Sequence, residues 1–150
     1  MVQRTAEALA TLYETDETAW LDATAELVLS GRFDQLDVGT LAEYLTDMAK
    51  RDRREVYSRL VVLLAHLLKW EHQPDRRSGA WRGTILEQQR EVRLLLESGT
   101  LHNHAVAILS DAYADARKQA AAETGLARGT FPEVCAWDLD GVLTDRSEDA

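Results

Sequence analysis

The sequence predicts an all-α fold, a single-domain bundle of four to five helices with a short C-terminal tail packed on the core. Three observations carry this. Alanine, leucine, glutamate and arginine dominate the composition, and these residues favour helix. The only prolines are Pro74 and Pro132, so long stretches run without a helix breaker. Apolar residues recur at spacings of three and four, and no period-two run of β-branched residues stands out.

The elements follow in order. Thr15 and Asp16 suit an N-cap, and Trp20, Leu21, Thr24, Leu27 and Val28 then share one helical face up to Gly31, a C-cap glycine. This predicts a helix over 16–30. Phe33 and Leu36 in the connection "GRFDQLD" are expected core anchors. Asp37 can cap a second helix carrying Leu41, Leu45 and Met48. No Gly or Pro occurs from Thr40 to Gln73, so residues 37–70 form one long helix or two. We expect a break or bend in the charged stretch Lys50 to Arg54, since a solvated helix of that length is uncommon in a small domain. Val61 to Leu68 is apolar on nearly all sides and should run through the centre of the fold.

Pro74, Ser78 and Gly79 predict a loop. A helix over 81–97 follows, with Trp81, Ile85, Val92, Leu95 and Leu96 inward. Thr100 caps a helix over 101–124, whose inner face is Leu101, Ile108, Leu109, Ala112, Tyr113, Ala116 and Ala120, and Gly125 ends it. The remainder, 126–150, is read as an irregular tail with one short helical turn.

The chain has 150 residues, enough for a real core, and a formal net charge of −9. That charge is uneven. From Lys50 to Arg82 nine Lys/Arg face four Asp/Glu, a local +5, whereas the rest holds eight against twenty-two. General attraction to nucleic acid or anionic membrane is not expected of the whole molecule. A lone cysteine, Cys135, excludes an intrachain disulfide and a multi-cysteine zinc site. The opening residues "MVQRTAEALATLYETD" lack the apolar core of a signal peptide. The apolar run Leu60 to Leu68 is about half a membrane span. We therefore expect a cytoplasmic protein.

The string "DLDGVLTD", Asp138 to Asp145, resembles the first motif of the haloacid-dehalogenase phosphatases, in which one Asp attacks phosphorus and the Asp two residues on is the general acid. That chemistry needs a buried parallel strand before the motif and a doubly wound domain after it. Here five residues follow Asp145 and no partner strands precede it. The match is read as accidental. Asp138 or Asp140 should cap a last helical turn, with Trp137 and Leu139 largely buried and no shared magnesium site.

The most unusual segment is "LLKWEHQPDRRSGAWRGTI". Trp70 and Trp81 flank a loop holding His72, Arg76, Arg77 and Arg82. Arginines beside aromatics clamp a phosphate, stack on a base or hold a partner's carboxylate. The competing reading anchors both tryptophans in the core and pairs the arginines with surplus acids. "KRDRRE" at 50–55 reads as a solvated helical face. His66 reads as a hydrogen-bonded core residue. His102 and His104, two apart on a helix, point to different faces. Glu71 beside His72 does not make a catalytic dyad by adjacency. "SGAWRG" lacks the ending of a phosphate-binding P-loop. No catalytic residue, metal site or cofactor is assigned.

The strings "SGRFDQLDVGTLAEYLTDMAKRDRREVYSRL", "RLVVLLAHLLKWEHQPDRRSGAWRGTILEQQREV" and "DAYADARKQAAAETGLARGTFPEVCAW" resemble the bacterial family called domain of unknown function 29. The resemblance covers about Leu12 to Leu143. Ala80 stands where the family often has Ser before the tryptophan, and Ala136 where it often has Pro. The family's tail usually lacks the Asp-x-Asp-Gly pattern. The resemblance implies an all-helical fold and no assigned activity, cofactor or catalytic residue. The leading expectation is a non-catalytic protein-interaction module that uses the Trp/Arg-rich loop. Alternatives are a small-molecule or phosphate-binding protein, or an enzyme, using the same loop, and nucleic-acid binding through the basic middle third. A protein partner is expected and a membrane is not; pairing with a second copy is left open.

Overall fold

The computed structural model describes residues 6–146. The fold is all-α, with no strand among the described residues. The last residues of the tail, 147–150, lie outside the described residues, as does the beginning of the amino-terminal stretch. The helices are α1 (Ala6–Thr15), α2 (Glu17–Leu29), α3 (Val38–His72), α4 (Gly79–Leu95), α5 (Gly99–Thr124) and α6 (Leu139–Leu143). Packing divides the chain into two compact units, Met1–Lys50 and Arg51–Ala150.

In the first unit α1 packs on α2. Asp16 caps α2, its carboxylate accepting the Ala19 N–H at 3.1 Å. At the other end Gly31 adopts φ +73°. The Gly31 N–H bonds to the Val28 carbonyl and the Arg32 N–H to Leu27, a Schellman closure that needs the left-handed residue. Leu9, Trp20 and Leu27 are buried together, with Tyr13, Leu36, Leu41 and Tyr44 around them. The Trp20 ring lies 4.8 Å from Tyr13 and 5.4 Å from Tyr44 between centroids.

Three expectations for this unit change. α1 adds Leu9, Leu12 and Tyr13 to the core, a helix that the sequence reading leaves unassigned. Phe33 is 61% exposed; the single 3-10 turn Phe33–Gln35 presents Leu36 to the cluster instead. Val28 and Leu45 are exposed as well. Trp20, Thr24 and Leu27, spaced by four and three, form the buried stripe of α2, and Val28 falls beyond its rim.

α3 does not break. It runs for 35 residues through Lys50 to Arg54. The segment contains neither Gly nor Pro, and its Ala, Lys, Arg and Glu residues are strong helix formers, so solvation alone does not interrupt it. Arg59 donates to Glu55 at 3.0 Å one turn apart, adding local support.

In the second unit Val56, Leu60, Leu63, Leu64, Ala65, Leu67 and Leu68 supply the α3 face of the core, as the apolar run predicts. Ile85 and Val92 come from α4, and Ala105, Ala112, Tyr113, Ala116 and Ala120 from α5. The Tyr57 hydroxyl of α3 donates to the Asp115 carboxylate of α5. That hydrogen bond, with burial, pushes the phenol up to about 12.

The caps of α4 and α5 are both serines. Ser78 accepts from the Trp81 N–H and Ser98 from the Leu101 N–H, so α5 begins before Thr100. Gly125 closes α5 at φ +73°. The tail then docks through Phe131, Leu139 and Val142, all buried. Tyr113 donates to the Pro132 carbonyl, and Arg117 to Phe131 at 3.1 Å. The side chain of Gln89, wholly buried on α4, donates to the carbonyls of Val142 at 3.1 Å and Thr144 at 2.9 Å. Trp137 is half-buried rather than largely buried, and it lies at the edge of the core with the Arg146 guanidinium 4.8 Å from its ring centre.

Candidate functional site

The site lies in the second unit, where α3 ends and α4 begins. Pro74 lacks the N–H that a continuing helix requires, so α3 stops at His72 and a 3-10 turn, Pro74–Arg76, follows. Arg77 leaves that turn in an extended conformation. Its Nε donates to the Trp70 carbonyl at 2.7 Å, and its guanidinium carbon lies 4.8 Å from the centre of the Trp70 ring. The side chain thereby satisfies one of the orphan carbonyls at the C-terminus of α3 and places a cation at the negative end of the helix dipole.

The other candidates divide by environment. His72 is half-buried and meets Phe131 edge-on, 5.4 Å between centroids. Trp81 is half-buried, with the Lys69 ammonium 5.3 Å from its ring centre. Lys69 is buried along its stem and pairs with Glu123 of α5 at 2.6 Å. Burial pushes the Glu123 carboxyl up, but hydrogen bonds from Lys69 and Gln119 outweigh it, and the net shift is downward. Arg76 and Arg82 are exposed, and neither guanidinium has an ion pair among the described residues. The set Arg76, Arg77 and Arg82 is therefore not uniform: Arg77 is built into the turn, whereas Arg76 and Arg82 face solvent.

A groove of about 150 Å³ opens beside Trp70, lined by Leu67, Glu71, Arg77 and Arg146 as well. A narrow slot next to it shares Leu67, Trp70 and Arg146 and adds Arg82 and Asp145. Arg146 was not a candidate from sequence. It belongs to the tail, and docking of the tail, rather than any local spacing, brings it to Trp70.

Elsewhere, His66 is half-buried, with Nδ1 2.9 Å from the Val62 carbonyl, so Nδ1 carries the proton. Burial lowers its pKa. Burial raises the Cys135 thiol, whose sulfur lies 3.3 Å from the Trp137 carbonyl. Asp138 is the N-cap of α6, accepting the Gly141 N–H at 2.8 Å. A Cβ at position 141 would stand 3.1 Å from that carboxylate oxygen, so the Asp-x-x-Gly spacing serves a close cap. No strand carries Asp138, and it opens a helix of five residues. Among the described residues no group of three or more His, Cys, Asp or Glu is placed to hold a metal ion, and no helix is long and apolar enough to cross a membrane.

The model of one family, domain of unknown function DUF29, matches residues 12–147. The chain belongs to the DUF29 family. The matched range takes in α2 to α6 and the whole Trp/Arg loop of this DUF29 chain. No curated protein and no solved structure matches it.

Proposed function

We propose that this DUF29 chain is a non-catalytic protein-interaction module whose recognition surface is the turn between α3 and α4, and that its partner presents acidic side chains there. The observation that supports this reading is the contrast within the turn. Trp70, Arg77 and the Ser78 cap fix the backbone, while Arg76 and Arg82 project exposed guanidinium groups without an ion pair among the described residues. A rigid backbone limits the entropy lost on binding. Unpaired arginine forks suit carboxylates of a partner. His72 packs against Phe131, which fits an anchoring role better than proton transfer.

Arginine footprinting tests the reading. Phenylglyoxal should modify Arg76 and Arg82 in the free chain, and a bound protein partner should shield both. Shielding confined to Arg51, Arg53 and Arg54, or retention on DNA or RNA at low salt, would move recognition to the basic helix face and overturn the proposal.

A further inference from the structure

We infer that the groove beside Trp70 is a phosphomonoester site in which Arg77 and Arg146 hold the phosphate oxygens. It goes beyond the turn reading, since it uses two arginines that Arg76 and Arg82 do not replace.

The first support is pre-organisation. Arg77 is stacked on Trp70 and tied to the Trp70 carbonyl. Arg146 is stacked on Trp137 and tied to the Gly141 carbonyl at 2.9 Å. Each guanidinium is thus fixed by one aromatic face and one backbone acceptor. Each has five N–H donors, so most remain for a ligand, and little side-chain entropy is left to lose.

The second support is convergence. Arg77 and Arg146 both line the same groove of about 150 Å³. They are far apart in sequence, one in the turn after α3 and one after α6, and only the docked tail brings Arg146 there. The Nε of Arg146 is buried and meets no acceptor among the described residues. Glu71 also lines the groove. Two arginines against one glutamate leave it cationic.

The third support is stoichiometry. One fork saturates a carboxylate, whereas a phosphomonoester offers three terminal oxygens and close to two negative charges at neutral pH, matching two forks. Trp70 and Leu67 supply an apolar wall for the carbon to which the phosphate is attached.

The test is calorimetric titration of the whole chain with inorganic phosphate, phosphoserine, a phosphoserine-centred peptide and succinate. Saturable binding of phosphate and phosphoserine is expected, with succinate weaker. Arg77→Lys and Arg146→Lys keep the charge and lose the fork, and each should weaken binding by about tenfold. Melting curves show whether either variant is unfolded. Arg146→Lys, in the tail, keeps the question answerable if Arg77→Lys disturbs the turn. A peptide that binds more tightly than phosphoserine points to a phosphorylated protein segment as the source; a peptide that binds more weakly points to a free phosphorylated metabolite. Absence of phosphate binding, or binding unchanged in a folded Arg146→Lys chain, overturns the site. Because Arg76 and Arg82 are intact in both variants, loss of this site and loss of the turn surface are separately visible.

Discussion

Lys69 on α3 and Glu123 on α5 form an ion pair of 2.6 Å in which the lysine is almost entirely buried and the carboxylate is partly in water. The lysine also approaches the Trp81 ring at 5.3 Å. One cation thus joins α3, α5 and the first turn of α4, beside the candidate surface. A buried ammonium is tolerated only while it is paired.

Removing the carboxylate should therefore cost more than removing the lysine. Glu123→Gln should lower stability by about 1–3 kcal/mol near neutral pH, towards the smaller figure because the carboxylate is partly solvated. Lys69→Met, which fills the same space without charge, should cost less. The folded carboxyl titrates below its ordinary value. Its stabilisation is therefore fully present above the unfolded pKa and is lost as pH falls through the folded one. Urea unfolding of the parent and Glu123→Gln chains should show a gap at neutral pH that closes in acid. A gap independent of pH would contradict this account of the pair.

Gln89 pins the tail. Its amide donates to two carbonyls of the tail while the side chain is wholly buried. Gln89→Met conserves most of the volume but strands both acceptors. We expect a loss of about 1–3 kcal/mol, with faster amide exchange in α6 than in α5. Equal protection of α6 in the variant would show that Phe131, Leu139 and Val142 hold the tail alone.

The phosphatase-like string makes a separate prediction about Asp138. As an N-cap it accepts the Gly141 N–H, and Asn caps about as well as Asp. Asp138→Asn should leave the melting temperature and the protection of the Val142 amide nearly unchanged. Asp138→Ala should lose about 0.5–2 kcal/mol. An Asn variant as damaged as the Ala variant would mean that the carboxylate charge itself is needed.

Much of the helical architecture was legible because the caps and the apolar spacing agree. Asp16, Gly31 and Gly125 sit where helix ends demand them, and Leu63 to Leu68 pack as their run of apolar residues requires. The continuity of α3 runs against the rarity of so long a solvated helix in a small domain, and the strong helix formers of the charged stretch carry it through. Of the two expected anchors in the connection, the 3-10 turn sends Leu36 to the cluster and leaves Phe33 in solvent. Gln89 could not be found by hydrophobic pattern: it occupies an inward position on α4, and its partners are tail carbonyls. At the site, Trp70 and the arginines were visible as composition. The separation of Arg76 from Arg77 was not. It depends on one residue lying in a 3-10 turn and the next leaving it extended. Arg146 reaches the groove, and Glu123 reaches Lys69, only through tertiary packing.

In the function we propose, the exposed arginines of the turn recognise an acidic protein partner while Arg77 holds the turn together. The most direct measurement is the amount of partner retained from the native lysate by an immobilised Arg76→Ala/Arg82→Ala chain, relative to the parent chain at equal folded concentration. The account predicts that retention of a specific acidic protein is lost while the melting temperature stays within a few degrees of the parent. Undiminished retention by the folded double variant, or unfolding of that variant, would contradict it.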